Sequence, residues 1–92
     1  MTEQITTREV IVINTRGLHA RPASQIAKTA AQFQSQTKIL KGKSEADAKS
    51  VLSLLILAAG KGTVLTISAE GEDRALVLDA IEELFLNRFN EE

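Results

Sequence analysis

The stretch "GTVLTISAEGED", residues 62–73, alternates cleanly: Leu65, Ile67 and Ala69 fall on one side, and Val64, Thr66 and Ser68 on the other. A period of two with one apolar face marks a half-buried strand, and the apolar face needs a cover. Helical segments elsewhere supply it. From Ala20 to about Gln34, Ala23, Ile26, Ala27, Ala30 and Phe33 or Gln34 recur at helical spacing. That stripe is mostly alanine, so the helix can approach a sheet closely. The acidic turn "EGED" leads into a last helix, about Arg74 to Phe89, with Val77, Leu78, Ile81, Leu84, Phe85 and Phe89 as its core stripe.

The remaining elements follow from local signals. Arg8 to Asn14 reads as a strand around the β-branched run Val10 to Ile13. Every position of that run is apolar, so alternation does not say which face is inward. Thr37 to Leu40 and Ser44 to Asp47 read as two short strands around Gly42. Ser50 is a candidate N-cap and Gly60 a stop, giving a short helix from Val51 to about Ala58, with a buried strand as the rival reading. The order is β-α-β-β-α-β-α. Interspersed strands and amphipathic helices predict an α+β fold with the helices on one face of one sheet. No linker or internal repeat divides the 92 residues, so residues 1–92 are expected to form a single domain.

Composition narrows the function classes. The formal net charge is -1 with both signs interspersed, and there is no Trp or Tyr, which argues against a nucleic-acid binder. With no Cys and one His, neither thiol chemistry nor a metal site is expected. No secretory signal and no stretch long enough to span a bilayer can be read, so a cytoplasmic location is the default expectation, without membrane insertion.

The one His and the one Pro lie together in "GLHARPAS", residues 17–24. His19 falls where a loop meets a helix, whose first N–H groups have no internal partner and form a natural anion site. Arg21 adds a permanently charged donor fork, and Pro22 is tolerated in a first helical turn, although it biases the helix toward starting a residue or two later. An imidazole nitrogen there can attack phosphorus. A lone His ahead of a helix is more often just a solvated cap residue, and from spacing alone both readings stand.

"GLHARPAS" resembles the active-site motif of the HPr family, the histidine-containing phosphocarriers of the bacterial phosphoenolpyruvate:sugar phosphotransferase system. "KSEADAKSVLSLLILAAGKGTVLTISAEGED" is similar to the family's second segment, at matching spacing, and the likeness runs from about Val10 to Phe89. The resemblance implies an open-faced sandwich: a four-stranded antiparallel sheet of order 1-4-2-3 with three helices on one face. It implies that His19 takes a phosphoryl group on Nδ1 from enzyme I and passes it to enzyme IIA proteins, with Arg21 steadying it. The protein would be a stoichiometric carrier, not an enzyme, without cofactor.

By position, Ser50 matches the serine that an HPr kinase/phosphorylase modifies in many bacteria, although Val51, Leu52 and Ser53 differ from the Ile-Met-Gly typical of Gram-positive members. Ala20, Ser24, Lys28, Lys49, Val51, Leu52 and Leu55 match the patch that meets the partners. A monomer suffices for this role. The alternatives are a nitrogen-branch or regulatory HPr acting in signalling, an HPr-fold binding module never phosphorylated on His, and an anion-binding domain without transfer chemistry.

Overall fold

A computed structural model describes residues 4–91. The elements are β1 (Ile5–Ile11), α1 (Ala20–Ala30), β2 (Gln36–Lys41), β3 (Ser44–Asp47), α2 (Val51–Ile56), β4 (Val64–Glu70) and α3 (Arg74–Leu86). The strands form one antiparallel sheet in the order β1-β4-β2-β3. The alternation in β4 decides which face is covered. Leu65, Ile67 and Ala69 are buried, and their cross-strand partners Val10, Ile39 and Thr37 share that inward row. On the opposite face Ile11 pairs with Val64, and both are exposed. All three helices contribute to the core beneath the inward row, through Ile26 of α1, Leu54 of α2 and Val77, Leu78, Ile81 and Phe85 of α3. This is the open-faced sandwich expected.

β1, α1, α2 and α3 run differently from the sequence reading, each for a physical reason. β1 covers Ile5–Ile11 and not Arg8 to Asn14. Thr6, Thr7 and Arg8 are polar yet pair with Ala69, Ser68 and Ile67 of β4, which extends the strand back to Ile5, whereas Val12 and Asn14 are buried in the loop beyond the strand. α1 stops at Ala30, short of Gln34. The amides of Gln34 and Ser35 donate instead to Asp73, both at 2.9 Å, which draws the chain out of the helix. Within the stripe Ala27 is only half-buried and Gln34 is exposed.

α2 ends at Ile56 rather than Ala58, because Ala58 adopts a positive φ of 53°. The Lys41 ammonium donates to the carbonyls of Leu57 and Ala58, at 2.9 and 3.3 Å, satisfying this helix end. α3 ends at Leu86, and Arg88–Asn90 make a short turn with φ of 54°, 54° and 60°. Phe89 is therefore buried from a left-handed turn and not from the helix. Its ring meets Phe85 edge-on, with centroids 4.9 Å apart.

Asp73 ties the start of α3 to the α1–β2 connection, and its carboxylate also accepts from the Ser35 hydroxyl. Gly71 lets the two segments approach: a Cβ there would lie 2.5 Å from Ser35 Oγ and 2.9 Å from Ser35 Cα. The Ser35 hydrogen bond, followed by that from the Gln34 amide, holds the Asp73 carboxyl below the usual carboxylate range. A depressed folded-state value means a contribution fully present above the ordinary value of about 4 and lost as pH falls through the depressed one. Asp73→Asn is therefore expected to flatten the acid limb of stability. Urea denaturation at pH 5 and pH 3 checks this, and an equally steep loss in both proteins would contradict it.

Candidate functional site

The site is built where two loops are pinned together. Gly17, at φ 69°, lies against the loop after α2, and the Leu18 amide donates to the Ala59 carbonyl at 2.9 Å. The same two loops join again through Val12 N to Thr63 O, 2.9 Å, and Gly62 N to Val12 O, 2.7 Å. Leu18 is buried beneath them. His19 follows as the N-cap of α1, with extended backbone, and its carbonyl accepts from Ala23 N at 3.1 Å. The helix starts at Ala20, not later, and Pro22 takes its third position. An N–H there would lack an intrahelical acceptor in any case, so proline costs no helix hydrogen bond.

The His19 side chain does not cap its own helix. It is a quarter exposed, and Nε2 lies 2.8 Å from Glu91 Oε1 and 3.1 Å from Glu91 Oε2. A carboxylate only accepts, so Nε2 carries the proton. Asn14, fully buried, donates from Nδ2 to Glu91 Oε1 at 3.0 Å and to the Gly17 carbonyl at 2.8 Å. Arg21 Nη1 stands 3.6 Å from Glu91 Oε2 and is two-thirds exposed. The hydrogen bond from His19 is the largest influence on the Glu91 carboxyl and holds it below the usual range. Desolvation works against this, and Asn14 and the Arg21 charge add to the lowering.

The structure thus brings His19 and Arg21 together, as the motif suggests. Glu91 and Asn14 are the residues that sequence reasoning missed. By sequence Asn14 reads only as the end of a strand, and nothing in the run "NRFNEE" marks Glu91. No local pattern marks either one, because they meet His19 only through the folded chain.

Ser50 is half-buried, and its Oγ accepts from Ser53 N at 3.2 Å, the cap expected for α2. α1 and α2 pack together, and Leu52, Leu55 and Ile56 leave an exposed apolar face on α2. Ile56 belongs to this face although the resemblance does not mark it. Val51 is half-buried against the core, Ala20 is exposed and Ser24 is half-buried. Lys28 and Lys49 stand apart from His19. Lys28 is nine residues along α1, about 13 Å at the helical rise. The Lys49 ammonium donates to Phe33 O at 3.2 Å, beyond the far end of the same helix. A depression of about 520 Å³ lies by β2 and β3, lined by Gln36, Thr37, Lys38, Glu45, Asp47 and Lys49. It holds neither His19 nor Arg21.

Among the described residues no group of three or more His, Asp or Glu side chains is placed to hold a metal ion. Among them, too, no helix is long and apolar enough to cross a membrane.

The sequence pattern described as "PTS HPr component phosphorylation site" matches residues 6–87. The chain belongs to the HPr family. Phosphocarrier protein HPr of Xylella fastidiosa strain 9a5c is 43% identical over 84 residues, covering 91% of this chain and 94% of its own. Phosphocarrier protein NPr of Shewanella violacea is 40% identical over 84 residues, covering 91% of this chain and 92% of its own. A crystal structure of HPr from Thermoanaerobacter tengcongensis superposes with a TM-score of 0.90 at 34% identity, covering 95% of this chain and 98% of that one. As an HPr, the protein is a phosphocarrier of the phosphotransferase system, a carrier rather than a catalyst. HPr proteins work between phosphotransferase partners such as enzyme I and the IIA proteins.

Proposed function

We propose that His19 is the phosphoryl acceptor of this chain, taking the group on Nδ1 from enzyme I and handing it to a IIA protein as one HPr domain. One observation carries the reading: His19 and Arg21, at the start of α1, already share a single anionic group, the Glu91 carboxylate. A phosphoryl group placed on Nδ1 meets the same chemistry. The first amides of α1 lack intrahelical acceptors, and the exposed Arg21 guanidinium can turn to the phosphoryl oxygens. Both interactions strengthen as charge arrives, which is what stabilises transfer. The test is a relay. Labelled phosphoenolpyruvate and catalytic enzyme I should load this chain, and an added IIA protein should then take the label from it. Label retained on the chain, or never acquired, contradicts the proposal.

The apolar face of α2 is the proposed docking surface, beside the start of α1. Leu52 is 68% exposed and Ile56 73% exposed, so partner contact is the use we assign to them. A carrier must leave as readily as it binds, which favours a small interface. Leu52→Glu is expected to raise the KM of enzyme I for this chain about tenfold without unfolding it, because the side chain has little to lose on the surface. An unchanged KM in steady-state phosphorylation would contradict this role.

A further inference from the structure

Glu91 is held at His19 by more than one device. The left-handed turn at Arg88–Asn90 reverses the chain after α3. Burial of Phe89 against Phe85 anchors that turn, and Gln25 Nε2 on α1 donates to the Phe89 carbonyl at 3.2 Å. Three non-glycine residues at positive φ are unfavourable, so the packing must fix this path firmly. The path delivers the carboxylate to Nε2 of His19 and to Nδ2 of Asn14, which is itself locked to the Gly17 carbonyl. The carboxylate side chain is only 11% exposed. Among the described residues, Nδ1 of His19 makes no hydrogen bond.

We propose that Glu91 is a positioning residue for phosphoryl transfer at His19. This rests on His19 being the acceptor. By accepting the proton of Nε2, Glu91 fixes the tautomer in which the lone pair is on Nδ1, and it sets the plane of the ring. A carboxylate on one imidazole nitrogen orients the other for reaction and stabilises the cationic ring that forms. The step balances without a base. The Nδ1 lone pair forms the N–P bond, and the bond between phosphorus and the donor breaks with its electron pair leaving on the donor. The Nε2 proton stays on the ring. The ring becomes cationic, and the Glu91 charge lies against it. On return transfer the N–P electron pair goes back to Nδ1, and the same tautomer is regenerated.

The experiment compares the full chain with Glu91→Gln and Glu91→Asp, using initial rates of phosphorylation by enzyme I over a range of carrier concentrations. Gln keeps the size and removes the charge. Its expected effect is a fall in kcat of about tenfold with KM within about twofold, and Glu91→Asp should regain part of the loss. Nitrogen-15 NMR of the His19 ring gives an independent readout. The unmodified chain should hold the proton on Nε2, and Glu91→Gln should admit the Nδ1–H form. An unchanged or raised kcat, a change confined to KM, or identical ring spectra would overturn the proposal. A raised kcat would identify the tail as a cover over His19. If the unmodified chain takes no phosphoryl group on His19, the acceptor reading itself fails. The loss in Glu91→Gln alone, beside a competent parent, is what this inference requires.

Discussion

Replacing His19 by alanine is expected to end phosphoryl acceptance while leaving the fold in place. The side chain caps nothing and is a quarter exposed, so its removal leaves the core of sheet and helices untouched. What is lost is the nucleophile. The 92 residues contain no second His and no Cys, so nothing nearby can take over at comparable rate. Removal of an attacking group lowers rates by several orders of magnitude where it acts as such. Thermal unfolding should therefore be cooperative and close to that of the parent, while phosphorylation by enzyme I falls below detection. A variant that still gains one acid-labile phosphoryl group at a measurable rate would refute the assignment of His19.

Gly17→Ala should produce the largest loss of stability per added atom near the site. Gly17 has a φ of 69°, and a Cβ there would lie 2.5 Å from the Ala59 carbonyl oxygen and 2.9 Å from Gly60 Cα. Both neighbours are backbone, so neither can swing away as a side chain would. The positive φ costs about 1 kcal/mol for alanine, and overpacking against backbone adds about 1–3 kcal/mol. A total of about 3 kcal/mol is a large part of the stability of a domain this small. Relief requires the two loops to part, which breaks the 2.9 Å bond from Leu18 N to Ala59 O and loosens the loop that ends in His19. The variant should show a lower urea midpoint and slower phosphorylation together. A midpoint shift worth less than about 0.5 kcal/mol would mean that the loops are not locked as described.

The features legible in the sequence have local causes. The face of β4 follows from its own alternation, and the start of α2 follows from Ser50, whose Oγ accepts from Ser53 N. His19 and Arg21 are two residues apart on one helix start, so their meeting is also local. The sequence does not fix the ends of β1, because four consecutive apolar residues conceal its facing and only pairing with β4 sets them. The sequence reads the last helix through to Phe89 because no Gly or Pro follows Leu86 to stop it, and Phe89 fits the helical stripe. The left-handed turn there is imposed by burial of Phe89 and not by local propensity. Glu91 lies 72 residues from His19, so only the closed fold brings them together. For the same reason the Asp73 clamp on Gln34 and Ser35, which ends α1, left no mark in the helical period.

The most direct measurement is NMR of the phosphorylated chain with nitrogen-15 in the His19 ring. After treatment with phosphoenolpyruvate and enzyme I, the spectrum should show phosphorus coupled to Nδ1, with Nε2 still protonated beside Glu91. Phosphorus on Nε2, or on no nitrogen of His19, would contradict the account of this site as a phosphoryl acceptor aimed by its own carboxylate.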